Sequence, residues 1–256
     1  MTPIYHAAFL LGAGIVAGLV GTAGGITSLV SYPALLVVGI PALAANVTNI
    51  VALVACGPGS ALASRPELAG RGPWLHRWAP VAALGGAAGA ALLLSTPAGL
   101  FSRVVPFLVL IGSLTLLAQP RLSAARGPRP RSDTGPGLRL GLLPLAVYNG
   151  YFGAGSGVMI LSLLLLTTDP DLPKANALKN MLVGAGAVVS AIAFAAFAPV
   201  DWAAVAPLSA GLFVGSTLGP RVTRWLPANV LRWLIALLGI ALAIELWASA
   251  ASPPHH

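Results

Sequence analysis

The stretch Gly21-Thr22-Ala23-Gly24-Gly25 interrupts a long apolar region near the N-terminus. A second stretch, Gly153-Ala154-Gly155-Ser156-Gly157, interrupts another apolar region in the second half. Glycine clusters are loop signals in soluble proteins, but the flanks here are apolar enough to lie inside a membrane. Non-helical backbone occurs at that depth only where protein or a cavity surrounds it. Each stretch therefore predicts a break in a buried helix that has a structural or functional reason.

The composition is that of an all-α polytopic membrane protein. Of the 256 residues, 57% are hydrophobic and 8% are charged, whereas soluble domains carry roughly 25% charged residues. Several apolar segments approach the ~20 residues that a helix needs to cross a bilayer. The net charge of +8 would suit nucleic acid, but the basic residues lie at segment ends and in two loops. They indicate topology and contacts with lipid headgroups instead.

The first half predicts one helical hairpin followed by three membrane spans. As a single helix, residues 4–40 would be roughly 55 Å long, against a hydrocarbon core of about 30 Å. Two shorter helices with the glycine cluster at the tip fit better. Spans are predicted at 41–64, 78–95 and 98–118. Residues 119–137, rich in Arg, Pro, Gly and Ser, predict a flexible basic linker on the cytoplasmic side.

The pattern restarts after the linker, which indicates an internal repeat. The glycine clusters align with a shift of 132 residues, and four other places align with a shift of 130. These places are Ala45-Asn46 with Ala175-Asn176, Gly85 with Gly215, Gly89 with Gly219, and Pro97-Ala98 with Pro227-Ala228. Chance explains one such pair easily but explains the whole set poorly. Residues 1–118 and 138–256 are thus predicted to be two repeats, each a glycine-broken hairpin plus three transmembrane helices.

The basic residues predict the orientation of these repeats. If each half crossed the membrane four times, eight of the 14 basic residues would lie on one side and six on the other. A hairpin plus three spans inverts the second half, and the split becomes thirteen to one, with Arg103 alone outside. The positive-inside rule favours this second arrangement, and inverted repeats are common in secondary transporters. Both termini should then lie outside the cytoplasm, and the two glycine tips should meet.

One run and four shorter motifs carry a resemblance to a known family. The run is Tyr148-Asn149-Gly150-Tyr151-Phe152-Gly153-Ala154-Gly155-Ser156-Gly157, and the motifs are Gly21 to Gly25, Ala45-Asn46-Val47-Thr48-Asn49, Ala175-Asn176-Ala177-Leu178-Lys179-Asn180 and Val200-Asp201-Trp202. This ordered set resembles the TauE/SafE family of membrane permeases, the sulfite and organosulfonate exporters. The resemblance covers nearly the whole chain. It implies transport of small sulfur-containing or organic anions such as sulfite, thiosulfate or sulfoacetate.

The glycine breaks also predict an anion site from their residues alone. A helix that restarts after a break has free N–H groups and roughly half a positive charge at its first turn, and oxyanions suit such an end. The alternative is that these glycines only permit close helix packing. The candidate residues here are Gly21, Thr22, Gly24, Gly25, Gly153, Gly155, Ser156 and Gly157. Tyr148 and Tyr151 flank the second break, where they line the passage or pack as aromatic rings.

A second constellation consists of polar residues that share a helix face three or four positions apart. Its members are Asn46, Thr48 and Asn49 in one half, and Asn176, Lys179 and Asn180 in the other. Amides can donate hydrogen bonds to an oxyanion without the full cost of burying a charge. Interhelical hydrogen bonds and helix caps are the alternative roles. Lys179 either neutralises an anion in the cavity or extends to the cytoplasmic interface, and Glu245 is either a proton-coupling group or a solvated residue.

The prediction is a secondary carrier in the bacterial inner membrane that exports a small anion, driven by the proton gradient. An intramembrane serine protease at Ser156 is disfavoured, because no histidine lies within a predicted span to serve as its base. The chain is therefore not expected to be an enzyme, and no cofactor or metal is expected. An anion channel and a non-transporting scaffold or sensor are the rival functions. The expected partners are the anion and the lipid bilayer, and a homodimer is left open.

Overall fold

The computed structural model describes residues 3–124, 136–169 and 171–222, together with Leu237, Ile240 and Ile244. Every regular element in the three ranges is an α-helix, as predicted. The helices are α1 (Pro3–Gly24), α2 (Thr27–Val37), α3 (Ala42–Leu53), α4 (Cys56–Ala63), α5 (Arg65–Leu68), α6 (Gly72–Leu94), α7 (Ala98–Ala124), α8 (Pro136–Tyr151), α9 (Ser156–Thr167), α10 (Leu172–Phe197) and α11 (Trp202–Val222). Glu245 and most of the last predicted span lie outside the described residues.

Five helical segments among the described residues are long and apolar enough to cross a membrane. They are Ile4–Gly24, Ala42–Ala63, Gly72–Leu94, Leu172–Phe197 and Trp202–Gly219. Their outward faces leave large apolar side chains uncovered, such as Leu84 and Ile192, which are 68% and 66% exposed. Extended apolar surfaces of this kind mark contact with lipid. The chain is a polytopic membrane protein, as its composition predicted.

The first glycine cluster breaks the chain later than predicted. Helix α1 continues through Gly24, and the break consists of Gly25 and Ile26. Gly25 has a φ of +79°, a left-handed conformation that commonly ends a helix and favours glycine. Gly21 and Gly24 keep negative φ values, so their flexibility is not used for the turn. With 22 residues, α1 is about 33 Å long, which is shorter than the roughly 55 Å of an undivided helix, as the prediction of two shorter helices requires.

The second cluster forms the wider of the two breaks. Helix α8 ends at Tyr151 and α9 begins at Ser156, so residues 152–155 form the turn. Gly153 and Gly155 adopt φ values of +81° and +75°, which explains why glycine stands at both positions. Ser156 and Gly157 belong to the first turn of α9.

The predicted single span over residues 41–64 consists of two helices, α3 and α4, with Val54 and Ala55 between them. The cause is Pro58, whose ring has no N–H to donate and collides with the carbonyl four residues earlier, at Val54. The amide of Gly57 bonds to that carbonyl instead, at 3.1 Å. At the far end of the first half, α7 runs to Ala124, so the predicted linker begins later than residue 119.

Each half of the chain packs its first helix against the other half. Helix α1 lies along α11, and α8 lies along α6. The backbones touch where glycines face each other: a Cβ on Gly14 would lie 3.1 Å from Gly211 Cα, and one on Gly89 would lie 2.8 Å from the carbonyl carbon of Gly150. Small residues allow this close approach in lipid.

These contacts change the predicted register of the repeat by one helical turn. The sequence pairs Gly85 with Gly215, a shift of 130. In the structure, Gly89 rather than Gly85 makes the contacts that correspond to those of Gly215, so the shift at this place is 126. The matching contacts are those of Gly89 with Val147 and Tyr151, and those of Gly215 with Ile15 and Leu19. The partners in these two sets are 132 residues apart, as the glycine clusters are. Glycines that recur every four residues fit both registers, so the sequence alone cannot separate them.

On one side of the molecule, Arg71 forms an ion pair with Asp169. Arg71 lies between α5 and α6, and Asp169 lies between α9 and α10. Asp169 also accepts a hydrogen bond from the backbone amide of Asp171. The loops of the two halves are thus joined by a charge-assisted contact.

Candidate functional site

The first glycine break, at Gly25, directly contacts Gly157 in the first turn of α9, next to the second break. A Cβ on Gly25 would lie 2.5 Å from the carbonyl carbon of Gly157, and one on Gly157 would lie 2.6 Å from Gly25 Cα. No side chain fits between these backbones. The contact brings the ends of α1 and α8 and the starts of α2 and α9 into one small region.

A cavity of about 50 Å³ opens beside this contact. Its volume is far below the ~300–1,000 Å³ of pockets for drug-sized molecules. Both breaks contribute to its walls, together with α4 and α10. The predicted site residues that line it are Gly21, Thr22, Gly25, Gly153, Ser156, Gly157, Lys179 and Asn180.

Lys179 supplies the charged group of the cavity. Its side chain is 1% exposed, so it does not extend to the membrane interface, the alternative that the sequence left open. Its Nζ donates a hydrogen bond of 3.3 Å to the carbonyl of Gly21, in the last turn of α1. The C-terminal end of a helix favours a cation, and no carboxylate among the described residues forms an ion pair with this ammonium group.

Two helix N-termini border the same cavity. Thr27 and Ser28 begin α2, and Ser156 and Gly157 begin α9. Within the described ranges, no backbone hydrogen bond uses the amide N–H of Thr27, Ser28 or Gly157. These free donors lie at the positive ends of two helix dipoles. The hydroxyl of Ser156 bonds to Asn149 Oδ1 at 2.7 Å, which fixes its position.

The asparagines tie each half to the broken helix of the other. Asn46 Nδ2 donates to the carbonyl of Tyr151 at 2.9 Å, at the end of α8. Asn176 and Asn180 donate to the carbonyl of Thr22 at 2.7 and 3.2 Å, near the end of α1. Asn180 also lines the cavity, whereas Asn46 and Asn176 do not. For the latter two, the described contacts are interhelical hydrogen bonds.

Thr48 and Asn49 also make packing contacts outside the cavity wall. Thr48 Oγ1 accepts a hydrogen bond from the backbone amide of Asp201 at 2.9 Å, which joins α3 to the start of α11. The Asn49 amide bonds to the hydroxyls of Ser31 and Ser28 at 2.6 and 3.2 Å. Asn49 therefore orients Ser28, which does line the cavity.

The two tyrosines support the second break from outside the cavity. Tyr148 donates a hydrogen bond to the carbonyl of Ala154 at 2.7 Å, across the turn. The ring of Tyr151 lies 6.0 Å from that of Phe101, an aromatic packing contact. Two of the predicted glycines, Gly24 and Gly155, are absent from the cavity wall.

Five polar residues of the cavity were not among the predicted site residues: Thr27, Ser28, Cys56, Ser60 and Asn149. Asn149 could have been found, because it lies one helical turn before Gly153 in the run that resembles a known family. Cys56 and Ser60 follow the break between α3 and α4, which Pro58 signals within a predicted span. The thiol of Cys56 lies 3.9 Å from the carbonyl of Leu212.

Curated relatives of the chain are described as membrane transporters. Probable membrane transporter protein ORF9 of Sinorhizobium sp is 29% identical over 252 residues, which cover 96% of this chain and 94% of that protein. A probable membrane transporter protein of Haemophilus influenzae is 29% identical over 246 residues, which cover 93% of each. No solved structure matches the chain with significance. With its membrane helices, the protein is of the membrane transporter class.

The family follows from residues 7–246, which match the family model described as Sulfite exporter TauE/SafE. The chain belongs to this family, as the motifs around the two glycine breaks predicted. The family is one of membrane permeases.

Proposed function

We propose that the protein is a secondary carrier that exports small sulfur-containing or organic anions, such as sulfite, thiosulfate or sulfoacetate, by alternating access. The observation that carries this proposal is the shared cavity between the glycine breaks, where the Lys179 ammonium group and the N-termini of α2 and α9 meet. This arrangement supports a binding site for one small anion.

The charge balance of the cavity favours an anion over a neutral solute or a cation. Lys179 contributes a positive charge when protonated, and each helix start adds roughly half a charge, which the negative end of α1 at Gly21 and Thr22 partly offsets. The described residues that form its wall include no Asp or Glu. An oxyanion would accept hydrogen bonds from the free amides of Thr27, Ser28 and Gly157 and would offset a charge that is costly to bury alone.

The small volume restricts the substrate class. About 50 Å³ accommodates an ion of a few heavy atoms, so sulfite is the best fit among the three anions. Thiosulfate and sulfoacetate contain more heavy atoms and would need a larger cavity. We therefore expect affinity to fall in the order sulfite, thiosulfate, sulfoacetate.

Alternating access has support from a difference between the two sides of the molecule. The Arg71–Asp169 ion pair joins loops of both halves on the predicted cytoplasmic side. On the opposite side, a cavity of about 160 Å³ lies between α1, the segment after α2 and the start of α11, where His6 and Asp201 face it. A carrier that is closed on one side and more open on the other fits this asymmetry.

The experiment is thermal stabilisation of the purified protein by a panel of sulfite, thiosulfate, sulfoacetate and acetate, followed by flux into proteoliposomes. A ligand present at one hundred times its Kd raises the free energy of unfolding by about 2.7 kcal/mol. Selective stabilisation with saturable flux supports the carrier. Ohmic, non-saturating flux would instead indicate a channel, and absence of binding to every anion would indicate a scaffold or sensor.

A further inference from the structure

The wall of the central cavity contains hydrogen-bond acceptors as well as donors. Asn180 lines the cavity and is 8% exposed, and its Nδ2 donates to the carbonyl of Thr22 at 3.2 Å. Because a carbonyl oxygen can only accept, the Asn180 amide cannot be turned round. Its Oδ1 is therefore an acceptor, and no donor within the described part of the chain bonds to it.

The hydroxyl of Ser156 is a second acceptor in the cavity wall. Its hydrogen has two acceptors within reach, Asn149 Oδ1 at 2.7 Å and the carbonyl of Gly153 at 2.8 Å. With the Asn149 amide turned round, Nδ2 would donate to Ser156 Oγ and the hydrogen would go to the Gly153 carbonyl. In both orientations the hydrogen is used inside the protein, and a lone pair of Oγ remains. Ser156 can therefore accept a hydrogen bond from a ligand but cannot donate one.

Ser28, in the first turn of α2, has the opposite role. The Asn49 amide lies 2.6 Å from Ser31 Oγ and 3.2 Å from Ser28 Oγ. The shorter distance fits an O–H···O bond and is too short for N–H···O, so the amide oxygen faces Ser31 and the nitrogen faces Ser28. Ser28 Oγ accepts from Asn49, which leaves the Ser28 hydrogen free to donate. The cavity wall thus combines a serine donor with a serine acceptor.

This combination of donors and acceptors selects the protonation state of the ligand. The sulfite dianion has only acceptor atoms, so its oxygens would face the lone pairs of Asn180 Oδ1 and Ser156 Oγ without a hydrogen between them. Lys179 is the one side-chain cation among the described residues of the wall, and a single cation matches a monoanion better than a dianion. A monoanion with one O–H group satisfies both conditions.

We propose that the species that binds and crosses is an oxyacid monoanion with one O–H group, which is hydrogensulfite in the case of sulfite. Asn180 Oδ1 and Ser156 Oγ are the acceptors that select it, while Ser28, Lys179 and the free amides bind its other oxygens. This inference rests on the proposed function and specifies the ligand of the same cavity. Each turnover then moves one negative charge rather than two, and the proton crosses on the ligand itself.

Chlorate is the probe that separates charge from protonation, because it has the pyramidal shape of sulfite, a single negative charge and no hydrogen. Its affinity follows only the titration of the protein, and Lys179 and Cys56 are the titratable side chains in the described cavity wall. Thermal stabilisation of the full-length protein in detergent gives the affinities for total sulfite and for chlorate from about pH 6 to about pH 9. We expect the sulfite-to-chlorate affinity ratio to fall as the pH rises, by about tenfold per pH unit once the dianion predominates.

Ser156→Ala removes one acceptor and keeps the backbone amides of α9. It should lower the sulfite affinity roughly threefold to tenfold at low pH and leave the chlorate affinity unchanged or higher. Ser28→Ala is the matched control, because it removes a donor hydroxyl and should weaken both anions alike. Should Ser156→Ala not fold, Asn180→Ala is the second variant, since Asn176 still bonds to the carbonyl of Thr22.

A sulfite-to-chlorate ratio that does not change with pH would overturn the proposal, because the dianion would then bind as well as the monoanion. Equal weakening of both anions in Ser156→Ala, or in Asn180→Ala where that variant is used, would also overturn it. Absence of binding by both anions at every pH removes the proposed function itself. Chlorate binding with a constant ratio keeps the anion site and removes only its preference for hydrogensulfite.

Discussion

Lys179 is held by the main chain of the other half of the molecule rather than by a carboxylate. Its hydrogen bond to the Gly21 carbonyl contributes part of the stabilisation that a buried ammonium group needs, and the α1 dipole adds to it. In the proposed function, a bound anion would stabilise the protonated amine. Burial of a lysine of this kind is unfavourable for folding by itself, which supports a role in substrate binding.

Lys179→Ala should weaken anion binding about tenfold to a hundredfold, since a hydrogen bond to a charged group contributes about 1.5–3 kcal/mol. Anion-induced stabilisation of the purified variant is the measurement. Lys174→Ala is the control: Lys174 lies on the same helix, is 49% exposed and contacts Asp171. Sulfite affinity in Lys179→Ala equal to that of the control would show that Lys179 does not bind the anion.

Gly25 is constrained both by its positive φ and by its close contact with Gly157. Two variants can separate these effects. Gly25→Ala strains a positive φ, at about 1–2 kcal/mol, and places a Cβ against Gly157, which adds roughly 1–3 kcal/mol. Gly39 has a φ of +90° with no atom near an added Cβ, so Gly39→Ala should show only the first cost. Thermal unfolding measures whether Gly25→Ala destabilises the protein more than Gly39→Ala does. Equal destabilisation of both variants would mean that the two breaks are not in tight contact.

Among the elements, the helix pairs α1 with α11 and α6 with α8 determine where the breaks lie. Glycines on the facing surfaces let the backbones approach, and this approach places the end of each broken helix beside the polar residues of α3 and α10. The breaks themselves could be predicted from the glycine clusters. Their residue bounds could not, because only tertiary contacts decide which glycine takes a positive φ.

The dependence on tertiary contacts also explains the other differences from the sequence prediction. Gly85 and Gly89 repeat every four residues, so a register one turn away fits the pattern equally well. Lys179 was identified, but whether a lysine near a helix end is buried depends on what packs over it. Ser60 lines the cavity because α4 packs against α10, and the sequence around Pro58 does not show which helix lies opposite α4.

Gly89→Val should separate α6 from α8, because a side chain at this position meets the backbone of Val147, Gly150 and Tyr151. Overpacking against rigid backbone costs about 1–3 kcal/mol or more. Gly99→Val in α7 is the matched control, since nothing lies near its added Cβ. Unfolding in a denaturing detergent gives the comparison, and a Gly89→Val protein as stable as the control would contradict the described helix contact.

For the whole molecule, the contacts between loops support the hairpin arrangement over four crossings in each half. With four crossings, the segment that holds Arg71 and the one that holds Asp169 would lie on opposite sides of the membrane. With a hairpin plus three spans, they lie on the same side, and the two residues form an ion pair. Asp201 and His6 likewise face one cavity. The exchange of hydrogen bonds between the halves supports the predicted inverted repeat in the same way.

The orientation can be read by labelling single cysteines in a Cys56→Ser background. Ala69 and Ser95 are both exposed and flank α6. The thirteen-to-one charge distribution predicts that an impermeant maleimide labels Ser95→Cys in intact cells and Ala69→Cys only in inverted vesicles. The reverse pattern would place both termini in the cytoplasm.

The pairing of α1 with α11 also has a consequence for biosynthesis. Between residue 24 at the end of α1 and residue 202 at the start of α11, 178 residues are made, which takes roughly 10–40 s at about 5–20 residues per second. During this time the glycine face of α1 has no protein partner. Helix α1 must therefore stay in the bilayer, covered by lipid or by an insertion factor, until α11 is made.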